Sequence, residues 1–395
     1  MYQSKTTVSI LKKGLIYRQF NFLMTAFEPH IYTLIHFGKV EKIFFFAKLK
    51  VMSETPEVSV RTPTLVVGFD PGDKNGAVEI SSGQKHLIGQ EEAYQLGERL
   101  SLVLPRESDY PLTTFFSDLI SVSSGGETSS KLGSVLGKLE RGDQEDVIRL
   151  FGNVNLLACD LLDAVDLQGE VSEAISREEE QESKIILASF NQRLSYALDS
   201  ASDLPIDDPD RRHVESFVAF LEVISKSRHN SGSREIIRDL ISSARAQAAL
   251  CNLLEQEGWM VIVPNWEDEE EIAKFDLRGV DLVAVSPEGR MAFIDVKSRM
   301  YTEEHKERAM VGIEEVEGGQ IEDLRAIVIK FLKSYEGSSF QDHCERAVKR
   351  DGRIARCRVL MPASPLIIGQ LGRIEKEHYR FISTAVKKGI LRLCQ

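Results

Sequence analysis

The sequence predicts an α/β protein. Its C-terminal part reads helix-strand-strand-strand-helix-strand (α-β-β-β-α-β) around a mixed sheet, after a mostly helical region and an N-terminal β-hairpin. Three observations carry that reading. Apolar residues recur at helical spacing over 235–257 and stop at Gly258. Two apolar runs, 280–285 and 291–296, are joined by the turn Ser286-Pro287-Glu288-Gly289. A last strand-like run, 356–361, follows a helical pattern at about 319–335.

From the N-terminus, residues 1–51 are basic and rich in Phe and Tyr, contain no Asp, and show neither helical nor strand period. Eight Lys/Arg stand there against two acids. Met52 then opens the polar lead Ser53-Glu54-Thr55-Pro56 into a strand, so 1–51 is expected to be a non-native or disordered extension with the true start at Met52. Residues 64–70 read as a buried strand. The turns Asp70-Pro71-Gly72-Asp73 and Asn75-Gly76 return the chain into Ala77-Val78-Glu79-Ile80, a hairpin. Residues 90–200 are helical by pattern, broken by a loop at 121–130. Further loops fall at 204–212 and 227–234, the second marking a domain boundary between 52–225 and 234–395.

After that boundary, Ile236, Leu240, Ala244, Gln247, Leu250 and Leu254 line one face of a helix over 235–257. Strands are expected at 259–264, 280–285, 291–296 and 356–361, with a terminal helix or two behind them.

Composition narrows the function classes. Hydrophobic residues make up 42 % and charged residues 28 % of 395 residues, which suits cores in two or three domains. No apolar run reaches 18 residues, so no membrane partner is expected. Five cysteines without CxxC pairing argue against a zinc site or disulfide framework and suit a reducing cytoplasm. The net charge of -12 counts against a purely electrostatic nucleic-acid binder. The distribution is uneven, however: residues 340–395 hold twelve Lys/Arg against five acids. The acidic runs Glu178-Glu179-Glu180 and Glu267-Asp268-Glu269-Glu270-Glu271 read as solvated faces or loops.

The chemistry lies in the two acids that interrupt apolar strands. In Phe293-Ile294-Asp295-Val296-Lys297, alternation puts Phe293, Asp295 and Lys297 on one face and Ile294 and Val296 on the other. Asp281 stands alone in Gly279-Val280-Asp281-Leu282-Val283-Ala284-Val285. A hairpin centred on 286–290 brings Asp281 level with Asp295. Two carboxylates about 4 Å apart repel by roughly 4 kcal/mol at an effective dielectric of 20, so one is protonated or a cation sits between them. Hard oxygen donors on a rigid sheet suit Mg²⁺ or Mn²⁺. Lys297 can orient a water there and stabilise a pentacovalent phosphate. An isolated D-x-K is as a rule only a half-buried ion pair; the second acid on the neighbouring strand is what raises it above that. Arg346, Lys349, Arg350, Arg353, Arg356 and Arg358 cluster around the fourth strand, as a DNA-facing patch requires and as a solvated surface also allows.

These residues resemble the PD-(D/E)xK nuclease superfamily, particularly its Holliday-junction-resolvase-like and restriction-endonuclease-like members, over about 235–365. The family's helix ends in a Gly-aromatic pair, matched by Gly258-Trp259; its first acidic strand is matched by Asp281, and its D/E-x-K by Asp295-Val296-Lys297. The resemblance implies a restriction-endonuclease-like fold and Mg²⁺-dependent endonuclease hydrolysis of DNA. It implies a metal held by Asp281, Asp295 and the main-chain carbonyl of Val296, with Lys297 aligning the water and Gln320 supporting metal or water. Arg299, with Arg350, Arg353 and Arg356, would contact the substrate backbone. The family often carries a Glu on the first helix where this chain has Gln247; its carbonyl oxygen can still ligate a metal or its water, without charge. The expected partner is DNA, with a homodimer compatible. Two alternatives stand beside this: a nuclease-fold DNA-binding module without catalysis, and an N-terminal nucleotide-binding domain with an accessory nuclease domain. The second arises because Val67-Gly68-Phe69-Asp70-Pro71-Gly72 resembles the first strand of RNase H-like resolvases and actin-like ATPases.

Overall fold

The computed structural model describes residues 87–106, 108–174, 176–226, 232–263, 279–299, 311–316 and 354–394, with Phe275 and Ala326. Every described residue belongs to one compact unit within Phe69–Gln395. The expected extension 1–51 and the expected hairpin at 64–80 with Asp70, and Gln320, Arg346, Lys349, Arg350 and Arg353, lie outside the described residues, as does the helix expected at about 319–335 apart from Ala326, which is helical.

The helical region opens with α1 (Gln90–Val103), α2 (Leu112–Ser123), α3 (Ser130–Leu136) and α4 (Arg141–Asn153). It continues with α5 (Asn155–Glu173), α6 (Arg177–Asp203), α7 (Pro209–Lys226) and α8 (Gly232–Gln256). Its core is aromatic: Phe151 meets Phe116 at 5.2 Å and Phe217 at 5.4 Å between ring centroids. α1 lies close along α7 because Gly97 has no side chain; a Cβ there would come within 3.0 Å of Val223 Cβ. The run Glu178-Glu179-Glu180 forms the first turn of α6. Ser176 Oγ accepts from the Glu179 amide and Glu179 Oε2 accepts from the Ser176 amide, both at 3.2 Å. The acids therefore sit on the positive end of the helix dipole.

α8 ends at Gly258, whose φ of 77° lets the Trp259 amide turn back to Leu254 O at 2.9 Å. One amphipathic face was expected of α8, but it is almost wholly buried from Leu240 to Leu254. It packs against α6 and α7 on one side and against the sheet on the other, so each of its faces meets protein.

The sheet contains β1 (Met260–Ile262), β2 (Leu282–Val285), β3 (Met291–Arg299), β4 (Gly312–Glu315) and β5 (Ala355–Pro362), in the order β1-β2-β3-β5-β4. The pairs β1–β2, β2–β3 and β4–β5 are antiparallel, and β3–β5 is parallel. The fold is thus mixed α/β with a five-stranded mixed sheet. β4 was not expected from sequence: it is a four-residue edge strand, Gly-Ile-Glu-Glu, that exposes its acids. One sheet face (Leu282, Ala284, Ile294, Val296, Cys357, Val359) packs on α8 and on α9 (Lys376–Leu393). On the other face Val283, Val285 and Phe293 gather Ile262, Phe275 and Val280. Phe293 and its alternate neighbours therefore point away from α8 and α9, and that face carries the acids.

Candidate active site

Two registers meet on β3. In the β2–β3 hairpin Leu282 faces Ile294, so the preceding Asp281 stands level with Asp295; the Asp281 amide donates to Ile294 O at 2.8 Å. In the β3–β5 pair Asp295 faces Arg358. Side chains opposite each other in a parallel pair share a face. Asp281, Asp295 and Arg358 are therefore brought to one level of one face, with Lys297 on the same face two residues further along β3.

Asp295 is the buried member, its side chain 7 % exposed. Its Oδ1 lies 2.6 Å from Lys297 Nζ, and its Oδ2 accepts from Arg358 Nε at 2.7 Å. Asp281 is half-buried, and its Oδ2 accepts from the Val296 amide at 2.6 Å. What Val296 offers Asp281 is thus its N–H. The hydrogen bond ties the end of the β2 segment across to β3 beyond their regular pairing.

Lys297 feels opposing influences. Burial of its ammonium pushes its pKa down, and Arg358 does the same; the carboxylates of Asp281 and Asp295 outweigh both, so the net shift is upward. The lysine is a firm cation at neutral pH, suited to fixing a water or stabilising developing negative charge and unsuited to acting as a base. Arg358 is likewise held as a cation, first by its hydrogen bond to Asp295 and then by the Asp295 and Glu314 charges. Glu314 faces it from β4.

Gln247 is buried on α8, the helix that packs on the Ile294–Val296 face. Its Nε2 donates to Gln192 Oε1 of α6 at 2.5 Å, and Gln192 Nε2 donates to the Asp281 carbonyl at 3.3 Å. The glutamine therefore reaches the site through a second glutamine and touches the Asp281 main chain. Arg299 is exposed at the end of β3 on the Asp295 face. Arg356 is half-buried beside Gly279, where a Cβ would meet its guanidinium at 3.7 Å.

Sequence reasoning missed two members. Arg358 was read only as part of a basic cluster; its alternation with Cys357 and Val359 marked it as lying off the apolar face of β5, and only the pairing with β3 brought it to Asp295. Gln192 had no signal, being 89 residues from Asp281.

The donor set can be weighed for a divalent cation. Among the described residues there is no group of three or more His, Cys, Asp or Glu side chains that could hold a metal. Asp281 and Asp295 supply two carboxylates, a number that suits Mg²⁺, which keeps several waters. The fit carries one condition: a cation must leave one Asp295 oxygen, since Lys297 holds Oδ1 and Arg358 holds Oδ2. Among protein-family models, curated proteins and solved structures, no match to this chain is found.

Proposed function

We propose that this chain is a divalent-metal-dependent DNA endonuclease of the PD-(D/E)xK kind. One observation supports the reading above the others: Asp281 and Asp295 stand level on adjacent strands of one face, with the Lys297 ammonium against Asp295. The strand order agrees with it, since an antiparallel β1-β2-β3 meander is extended by a β5 parallel to β3. The expected order of three strands, a helix and a last strand in a mixed sheet is compatible with it, and β4 is an addition at its edge.

Asp281 and Asp295 would hold Mg²⁺ or Mn²⁺. A bound ion of this type supplies Lewis-acid charge at the phosphoryl oxygen and a water of lowered pKa. Lys297, a cation, orients the attacking water by hydrogen bonding and stabilises the charge that gathers on phosphorus. As the water oxygen bonds to phosphorus, the ester P–O bond opposite it breaks; the attacking water gives up its proton to bulk solvent, and the departing alkoxide takes a proton from solvent. Arg299, exposed at the strand end, binds the flanking phosphate. Gln247 and Gln192 hold the Asp281 main chain and so keep the first carboxylate in register.

The full-length protein, incubated with linear, nicked, branched and single-stranded DNA, tests this directly. Cleavage is expected with Mg²⁺ or Mn²⁺ and none with EDTA, and Asp295→Asn is expected to be inactive. Metal-independent cleavage, or no cleavage of any of these DNAs, overturns the reading. A second reading, a DNA-binding module of the same fold without catalysis, is favoured by the occupation of both Asp295 oxygens by cations. It is separated from the first by a Mn²⁺ titration, which it expects to be flat.

A further inference from the structure

Arg358 is placed unlike an ordinary structural counter-ion. It comes from β5, across the parallel pair from Asp295, and donates Nε–H to Asp295 Oδ2 at 2.7 Å. Asp295 is 7 % exposed, whereas the arginine side chain is 42 % exposed, so one end of the contact is buried and the other reaches solvent. Lys297 holds the other oxygen from the same strand, two residues on. The guanidinium also has an alternative neighbour, Glu314, facing it from β4.

The charges set the problem. Lys297 and Arg358 both pair directly with Asp295, one on each carboxylate oxygen. A divalent cation at Asp295 must displace a cation from one of its oxygens, and Arg358 is the one with another carboxylate, Glu314, to turn to; the ion also adds two charges beside two existing ones. Binding of metal alone is therefore opposed twice, by competition and by repulsion. A DNA phosphate relieves both if the arginine turns to it, because a guanidinium binds phosphate through a planar fork of N–H donors.

We propose that Arg358 is an exchangeable counter-ion that holds Asp295 Oδ2 until a divalent cation takes that oxygen, and then binds a phosphate of the DNA. This rests on the nuclease reading above and adds that metal and DNA bind cooperatively through one side chain. By linkage, the factor by which DNA tightens the metal equals the factor by which the metal tightens DNA.

The test uses the full-length wild type, R358Q, R358K and D295N. Mn²⁺ is titrated without DNA by calorimetry, and affinity for a duplex oligonucleotide is read by fluorescence anisotropy with and without Ca²⁺. R358Q is expected to bind Mn²⁺ about tenfold tighter than wild type, and the gain in DNA affinity on adding Ca²⁺ to shrink by about the same factor, within the usual range of coupling between sites. R358K keeps the charge but loses the Nε–H donor, so its Mn²⁺ affinity is expected between the two. Because it preserves the charge balance, it also serves if R358Q melts early. D295N is expected to bind no Mn²⁺. Equal Mn²⁺ affinities in wild type, R358Q and R358K, with binding lost in D295N, would overturn the exchange and leave the nuclease reading standing. No Mn²⁺ binding by any of the four overturns both.

Discussion

Lys297 Nζ lies 2.6 Å from Asp295 Oδ1, yet the lysine side chain is 54 % exposed and the carboxylate is buried. The pair spans the boundary between sheet interior and solvent. Removing either partner therefore leaves no isolated buried charge: Asp295 keeps Arg358 when Lys297 is lost, and Lys297 meets water when Asp295 is lost. Asp295→Asn and Lys297→Ala are expected to keep the wild-type circular dichroism spectrum. Cleavage should fall by about two to four orders of magnitude in each, the scale of losing one preorganised group. Single-turnover cleavage rates of purified variants check this, and wild-type rates in both would remove the site from the chemistry.

The raised pKa of Lys297 has a pH consequence. A lysine whose folded pKa lies above its unfolded value contributes stability in full below that unfolded value, about 10.4, and loses it as pH rises through the folded value. Between pH 6 and about 9 its charge does not change. Any alkaline rise in cleavage over that range is expected to survive in Lys297→Arg, which carries the charge at every pH used. Loss of the rise in that variant would show the lysine titrating as a base.

Gln247→Glu examines the buried relay. The wild-type amide donates to Gln192, and a carboxylate has no hydrogen to give. Gln192 can serve the new acid only by turning its amide, which withdraws its donor from the Asp281 carbonyl. A charge would also stand at a position 6 % exposed. The expected result is a loss of about 1–3 kcal/mol in denaturant unfolding, with no gain in Mn²⁺ affinity. Unchanged stability with tighter Mn²⁺ would instead place residue 247 at the metal.

The helical region is pinned to the segment after β5 by another buried pair. Arg245 Nη1 and Glu222 Oε1 are 2.7 Å apart with both side chains 6 % exposed, and Gln370 Nε2 donates to Glu222 Oε2 at 2.9 Å. Arg245→Ala strands the glutamate and is expected to cost about 3–5 kcal/mol. Replacing both by Leu is expected to recover most of that loss. Urea unfolding of the single and double variants gives the comparison; a double variant as unstable as the single would assign the cost to packing.

Acid should loosen α9. Glu257, just past α8, accepts from Lys387, Ser383 and Tyr379, and hydrogen bonds from Lys387 and then Ser383 lead in lowering its pKa. A depressed carboxylate contributes stability above its unfolded pKa, about 4.3, and loses it as pH falls through the folded value. Hydrogen exchange of α9 amides is therefore expected to accelerate below about pH 4 more than that of α8 amides. Equal acceleration in the two helices would show that the acid acts elsewhere.

Much of the site was legible because its parts are local. Period-two alternation put Asp295 and Lys297 on one face and Ile294 and Val296 on the other, and the short turn 286–289 brought Asp281 level with Asp295. Gly258 ended α8 as expected, since a positive φ is a property of one residue and its immediate neighbours. Tertiary structure decided which strand flanks β3 on its far side, and hence that Arg358 meets Asp295 across 63 residues of chain. It also seated Gln192 between Gln247 and Asp281, buried α8 from Leu240 to Leu254, and made Gly312–Glu315 an edge strand. The reason is range: alternation, caps and turns are set by residues a few positions apart. The pairing of β5 with β3, and the docking of α6 on α8, depend on which distant surfaces bury one another best, a comparison that no local stretch of sequence contains.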